Sequence, residues 1–258
     1  MTQPATLYLP AQGPLHRLNP LTKLTLSLCF VAVALGGPGY WLATLLFLFG
    51  LLPLAAWGGV ARPLLRRSLT IIAPLATMLF FVHGFFNPDG VTPLFNLGAF
   101  TFTREGAQYA YWVASRLLTI VTAVMLLLLV THPAPLMAAL TERGLPPSLA
   151  YILSSSLQIL PQMQGKARAI METQRARGLE TEGSLLRRAR ALPHLLVPLV
   201  LGSLVEAEER AIALEARAFR APGPKTIWQP PPDSAPQRWL RRALILLTLA
   251  LLGVGLWL

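Results

Sequence analysis

Apolar residues fall into long unbroken runs along this chain, and polar residues gather between them. Five runs, at about 21–35, 40–57, 69–86, 107–130 and 239–258, come near the roughly 20 residues a helix needs to cross a hydrocarbon core. The first stops at Gly36-Gly37-Pro38-Gly39, a strong turn signal. The second carries Tyr40, Trp41 and Trp57 at its ends, where aromatic rings anchor a span at the membrane–water interface. Residues 132–229 differ in kind, because apolar stretches there alternate with dense charge. The pattern predicts a short helix at about 134–143 and a long one at about 148–177, bent at Pro161. A third stretch at about 184–219 is expected to be interrupted at Pro193 and Pro198. Residues 221–237 hold six prolines and read as a stiff linker. The expected fold is an all-α membrane protein, with about five transmembrane helices plus a cytoplasmic module of two or three long helices. It divides at 1–131, 132–229 and 230–258.

Composition agrees. Of 258 residues, 54% are hydrophobic and 13% charged, against about 25% charged in ordinary soluble domains. The net charge of +11 is explained by basic residues kept in cytoplasmic loops. No aromatic-interleaved basic patch outside the spans suggests a nucleic-acid partner. Arg62, Arg66 and Arg67, with no acid among them, place the segment between the second and third spans in the cytoplasm. His16, Arg17 and Lys23 put the N-terminus on the same side. Residues 87–106 then lie outside, Arg238, Arg241 and Arg242 mark the last entry, and the C-terminus is external. The expected location is the cytoplasmic membrane, crossed several times. One cysteine, Cys29, excludes an intrachain disulfide or a Cys-based metal site. Residues 1–20 lack the apolar core of a cleavable signal.

Chemistry-bearing motifs are missing from the sequence. No phosphate loop is present, since Gly36-Gly37-Pro38-Gly39 has no Lys-Ser/Thr after it. No nucleophile elbow or zinc-protease motif occurs, and His16, His83, His132 and His194 have no partners at metal-ligand spacing. No catalytic residue, metal site or cofactor is therefore expected. Two polar residues sit at membrane depth. His83 reads as a satisfied polar group. Arg116 reads either as a contact with a partner or as a cation held by backbone carbonyls or by Glu105.

The polar module ends two of its helices alike, at Gln174-Arg175-Ala176-Arg177-Gly178 and at Glu215-Ala216-Arg217-Ala218-Phe219-Arg220. An arginine in a last turn can simply bond the free carbonyls there. Two such ends in one module alternatively make a paired docking surface, since the guanidinium fork binds carboxylates or carbonyls in a groove. On a wheel at 100° per residue, Leu204, Val205, Ala211 and Ile212 share a broad apolar face. Glu206, Glu209, Arg210 and Arg217 lie opposite, and Glu208 and Glu215 fall inside the apolar face. If that face is packed, Glu208 and Glu215 require basic partners on the other long helix, with Arg168, Arg175 and Arg177 as candidates. If it is unpacked, both stay in water.

Three segments, "LHRLNPLTKL", "ILPQMQGKARAIMETQRARGLE" and "LVEAEERAIALEARAFR", resemble the T component of energy-coupling factor (ECF) transporters, ATP-driven importers of vitamins and transition-metal ions. The resemblance implies that Ala176-Arg177-Gly178 and Ala216-Arg217-Ala218 end two coupling helices that dock on two ATPase subunits. Those partners would bind the ATP, while a separate substrate-binding S component would hold the cargo. Ala218 stands where the family commonly has glycine. Alanine resists a left-handed backbone, which predicts a second helix running one turn further, through Phe219 and Arg220. The alternatives are a stand-alone permease, which needs its own substrate site in broken or repeated helices, and a polytopic membrane enzyme, which needs a polar catalytic cluster at membrane depth.

Overall fold

The computed structural model describes residues 8–9, 13–87, 91–97, 100–179, 184–223 and 232–257. Asp89 and residues 224–231 of the proline-rich linker lie outside the described residues. The chain forms two compact units: Leu7–Arg143 with Gln229–Leu258, and Gly144–Trp228.

The first unit is a helical bundle. A 3-10 turn at Pro14–Arg17 leads into α1 (Pro20–Gly36). The second apolar run, Leu42–Trp57, consists of α2 (Leu42–Leu45) and α3 (Leu52–Trp57), joined by a π-helical turn at Leu46–Leu51. Pro53 has no N–H to give the carbonyl four residues back, and the helix widens just before it. Then come α4 (Ala61–Phe86), α5 (Arg104–Val130), the short α6 (Pro133–Thr141) and, after the second unit, α9 (Ala235–Trp257). By length and composition, α4, α5 and residues Ala191–Ala216 of the second unit can cross a membrane, the last in a segment expected to be cytoplasmic, while Pro20–Gly36 and Leu42–Trp57 are shorter apolar helices. The all-α membrane fold is as expected, and the bundle departs from expectation in detail.

The third span begins at Ala61 rather than near residue 69, so Arg62, Arg66 and Arg67 belong to the first turns of α4 rather than to a loop. Arginine is a good helix former and can reach out to the interface on its long stem. Between α4 and α5, a segment read as a plain loop contains a two-stranded antiparallel hairpin, β1 (Pro93–Leu97) and β2 (Phe100–Thr103). Phe95 stacks on Phe102 at 4.8 Å, and Phe85 meets Phe102 edge-on at 5.2 Å. This aromatic cluster ties the hairpin to the end of α4.

Hydroxyl-to-carbonyl bonds join the helices. Ser27 Oγ donates to the Ala123 carbonyl and Thr119 Oγ1 to that of Ala43, both at 2.9 Å. Small, self-satisfying groups of this kind suit helix contacts in lipid, where an unpaired polar atom is costly. Around Leu15, Leu51, Ala55, Leu64, Leu126 and Leu129 the packing is dry and almost fully buried. Large apolar side chains such as Phe49, Met78, Phe81 and Leu246 instead point outward. Only lipid or an apolar partner can cover them without a large free-energy cost.

At one end of the bundle the starts of α1, α4 and α9 gather with the ends of α3 and α5. The chain crosses the bundle five times in alternating directions. A glycine shows how closely the two parallel helices run at the far end: a Cβ at Gly255 of α9 would lie 2.5 Å from the Gly36 carbonyl oxygen of α1. At the near end a polar knot holds them. The Asn19 side chain caps α1 by accepting from Leu21 N at 2.9 Å. The Asn19 backbone N–H donates to Gln237 Oε1 at 2.8 Å, and its side-chain Nδ2 donates to the Pro232 carbonyl at 3.2 Å. Lys23, 6% exposed, donates to the carbonyls of His16 and Val130 at 2.8 and 2.9 Å. Arg241, 7% exposed, donates to Thr22 Oγ1 at 2.9 Å. It also forks onto both oxygens of Asp233, at 2.9 and 2.7 Å. Arg143 reaches the same carboxylate at 3.2 Å. One carboxylate thus pins the residue where the chain leaves the bundle to the segment by which it returns.

The Arg241 hydrogen bond, with the field of Arg241, Arg143 and Arg238, holds the Asp233 carboxyl below the usual carboxylate range. A depressed folded-state pKa contributes stability above the unfolded value of about 4, lost as pH falls through the folded value. Thermal unfolding of the purified protein should show this acid-side loss as pH falls below about 4. Asp233→Asn should already be destabilised at pH 7, by about 1–3 kcal/mol because solvent still reaches the carboxylate, and should lack Asp233's share of the acid slope. Identical pH profiles for the two proteins would remove Asp233 from the knot.

Candidate functional site

The second unit is a pair of long helices, α7 (Pro147–Ala176) and α8 (Leu185–Ala216). The expected interruption at Pro193 and Pro198 does not occur. Both prolines lie inside one continuous helix, since losing a few N–H bonds does not end a helix whose neighbours hold it. The two helices are antiparallel. Tyr151, near the start of α7, meets Phe219, just past the end of α8, with ring centroids 5.4 Å apart. Gln162 Oε1 accepts from Arg210 at 3.2 Å, Lys166 pairs with Glu206, and Gln174 donates to the His194 carbonyl at 3.3 Å.

These contacts settle which way α8 faces. Its charged stripe, with Glu206 and Arg210, turns toward α7, and the two pair with each other at 3.8 Å. The apolar stripe faces outward, with Leu204 and Ile212 each 61% exposed. The brace expected from Glu208 and Glu215 to Arg168, Arg175 or Arg177 is therefore not what forms. Glu208 and Glu215 are exposed, and neither makes an ion pair among the described residues. The wheel had divided the faces correctly, but the polar one looks inward. Glu206 makes the brace, from the side assigned to solvent. Arg168 and Arg175 are exposed.

Both helices stop in the same way. After Ala176, Arg177 leaves the helix at φ −85° and Gly178 takes φ +87°. Gly178 N bonds the Arg175 carbonyl at 2.9 Å and Leu179 N bonds that of Gln174 at 3.0 Å. This is the paired pattern of a Schellman cap, and glycine adopts its left-handed residue without a Cβ clash. The end of α8 repeats it atom for atom. Arg217 is at φ −89° and Ala218 at φ +55°. Ala218 N bonds the Glu215 carbonyl at 2.9 Å, and Phe219 N bonds that of Leu214 at 3.0 Å. The further helical turn expected through Phe219 and Arg220 is absent. Alanine accepts a left-handed backbone here at a cost of roughly 1–2 kcal/mol, and the Phe219–Tyr151 contact anchors the chain just beyond it. Ala176, Arg177, Gly178, Ala216, Arg217 and Ala218 are all exposed.

Because the helices are antiparallel, the two caps stand at opposite ends of the pair. At 1.5 Å per residue, some 25 residues of overlap separate them by about 40 Å. Each tip carries two exposed arginines, Arg175 and Arg177 or Arg217 and Arg220, where a helix shows its partly negative carbonyl end.

The intramembrane candidates lie in the bundle. Arg116 donates to the Gly37 carbonyl at 3.2 Å and sits over the Trp112 ring at 3.9 Å, so a backbone carbonyl and an aromatic face hold it. Glu105 bonds Thr92 instead. His83 packs edge-on against Tyr109 at 4.7 Å. No group of three His, Cys, Asp or Glu side chains able to hold a metal occurs among the described residues. Sequence reasoning missed the polar knot, whose one legible signal was a lone Asp233 between prolines and an arginine-rich helix start.

A family model for cobalt transport proteins (CbiQ) matches residues 11–227. The chain is 34% identical over 237 residues to the energy-coupling factor transporter transmembrane protein EcfT of Heliobacterium modesticaldum, covering 86% of each. It is 31% identical over 223 residues to the EcfT of Listeria innocua, covering 83% of each. The EcfT of Bacillus subtilis matches at 30% over 224 residues, again with 83% of each covered. Fold and matches together define a class: an all-α membrane component of a transport system. Within that class, the chain belongs to the CbiQ/EcfT family of T components of ECF transporters.

The cap geometry yields a test. Ala218→Gly should relieve the left-handed strain and raise stability by about 1 kcal/mol, whereas Gly178→Ala should lower it by a similar amount. Thermal unfolding of the two variants beside wild type reads this directly. Shifts of the same sign, or none, would mean the two ends are not the same cap.

Proposed function

We propose that this chain is the transmission of an ECF-type importer, carrying the ATP-driven motion of two ATPase subunits to a separate substrate-binding membrane subunit. One observation carries the reading: two arginine-bearing tips closed by the same cap hydrogen bonds at opposite ends of one helix pair. Two tips about 40 Å apart suit two ATPases, each offering one groove. Arg177 and Arg217 would insert there, binding carboxylates or carbonyls in the groove. The outward apolar face of α7 and α8, including Leu153, Leu157, Leu201 and Leu204, would hold the S component. That component would carry the specificity for a vitamin or metal ion. ATP binding would draw the ATPases together, move the tips, and tilt the S component so that its cargo is released inward. Such coupling needs tip contacts that differ between the two ATPase states. ATP would be bound and hydrolysed by the partners, and the chain itself would be no enzyme.

Co-purification with the ATPases tests the reading. Arg177→Glu or Arg217→Glu places a carboxylate in a groove built for a cation, at a cost of about 2–5 kcal/mol, or at least roughly 30-fold in affinity. Membrane insertion should be unchanged while ATPase association and uptake are lost. Full complex and full uptake in both reversals would refute the docking role.

Orientation follows from the same reading. The end of the bundle bearing Arg62, Arg66, Arg67, Arg143 and Arg241 would face the cytoplasm, with the N-terminus inside and the C-terminus outside. In a Cys29→Ser background, a cysteine at Asp89 should react with an impermeant reagent from outside, and one at Arg188 should not. Labelling of both from one side would refute the arrangement.

A further inference from the structure

At the far end of the bundle the β1–β2 hairpin leans on the last turns of α4. Thr103 Oγ1 donates to the Gly84 carbonyl at 3.4 Å, and a Cβ at Gly84 would run into the Phe102 ring. Five rings, Phe81, Phe85, Phe86, Phe95 and Phe102, follow one another with centroids 4.8–6.3 Å apart. The cluster is open on one side: Phe81 is 58% exposed, Phe86 57% and Phe95 48%. At 100° per residue, Ile71, Met78, Phe81 and Phe85 fall within about 80° of one another, so the rings continue the outward apolar side of α4. In the hairpin, Phe95 pairs with Phe102, while Thr101, next along β2, falls on the opposite face and is exposed. The sheet has two strands, so each has an edge without a neighbour among the described residues. Nothing in the proposed coupling cycle uses this hairpin.

We propose that this hairpin is seated in the membrane–water boundary, its half-exposed rings against lipid and its Thr101 face against water, and so fixes the depth of α4. Two opposing costs select that position. Standing in water, the hairpin would leave the open ring cluster uncovered. Sunk in hydrocarbon, its unpaired strand edges would have nothing to bond. The boundary satisfies both, and aromatic rings favour it. The level agrees. Residues 67–86 of α4 rise about 28 Å, roughly the hydrocarbon thickness, so with Arg66 and Arg67 at one boundary Phe86 reaches the other. Neighbouring helices mark the same level by a chain of rings: His83 of α4 to Tyr109 of α5 at 4.7 Å, Tyr109 to Trp112 at 5.8 Å, and Trp112 to Tyr40 before α2 at 6.0 Å. Tyr40 and Tyr109 are 60% and 45% exposed. A lipid boundary imposes one level on several helices at once, whereas a protein partner would cover a single patch. The proposal needs only that α4 and α5 cross a membrane, so it stands or falls apart from ATPase docking.

Spin labels on single cysteines in the full Cys29→Ser chain, reconstituted in phosphatidylcholine vesicles, test the seat. A nitroxide on Phe95→Cys should collide more often with oxygen, which concentrates in lipid, than with a water-soluble nickel chelate. A nitroxide on Thr101→Cys should show the reverse preference. Leu94→Cys, at a residue 57% exposed and outside the ring cluster, repeats the first reading should Phe95→Cys fail to fold. Chelate preference at Phe95 and Leu94 would put the hairpin in water, and oxygen preference at Thr101 would put it in hydrocarbon; either overturns the proposal. The occupant is read in the host cell membrane, with the photoreactive substitution Phe95→benzoylphenylalanine, which keeps an aromatic ring in the cluster. Illumination should join the chain to phospholipid, and a protein adduct in its place would show that a partner covers the rings instead.

Discussion

The pairing of Glu206 with Lys166 decides how the coupling unit presents itself. In a soluble helix pair the apolar stripes meet and the charges face water. Here the polar stripe of α8, with Glu206 and Arg210, faces Lys166 and Gln162 of α7, and the leucines and valines of both helices look outward. A half-exposed ion pair is worth little energy by itself. Its effect is on rotation: once it forms, the apolar faces of both helices are available to a membrane-embedded neighbour. The same antiparallel pairing sends the two C-termini to opposite ends of the helix pair.

The two units solve the problem of polar atoms differently. In the bundle, every charge drawn away from water has a named partner: Lys23 on two carbonyls, Arg116 on a carbonyl and a ring, Arg241 on a carboxylate and a hydroxyl. Breaking such a pair leaves an uncompensated charge in a poorly solvated place. Among the described residues the helix pair shows a ring contact and half-exposed polar contacts. Little apolar surface is buried between its helices, so the pair can adjust its crossing with small loss, whereas the bundle resists.

The apolar runs made the spans legible, because lipid imposes its thickness on any helix that crosses it. Boundaries were less legible where arginines extend a helix beyond its apolar stretch, as at Arg62 and Arg66. The β1–β2 hairpin was hidden because its support, Phe85 on Phe102, joins residues that sequence order keeps apart. A wheel could sort Glu206 from Glu208 by face, but it could not say which face looks inward. In a membrane assembly the apolar face need not be the packed one. The arginine tips were visible as repeated letters. The knot around Asp233 was not, since Asn19, Thr22 and Lys23 are more than 200 residues from it.

Ala218 gives the two tips unequal free-state populations. Both caps make the same hydrogen bonds, but Gly178 enters its left-handed backbone without strain, whereas Ala218 carries about 1 kcal/mol of it. That difference corresponds to roughly a fivefold greater share of time with the α8 tip unwound. The helix pair therefore has one stiff end, at Gly178, and one soft end, at Ala218.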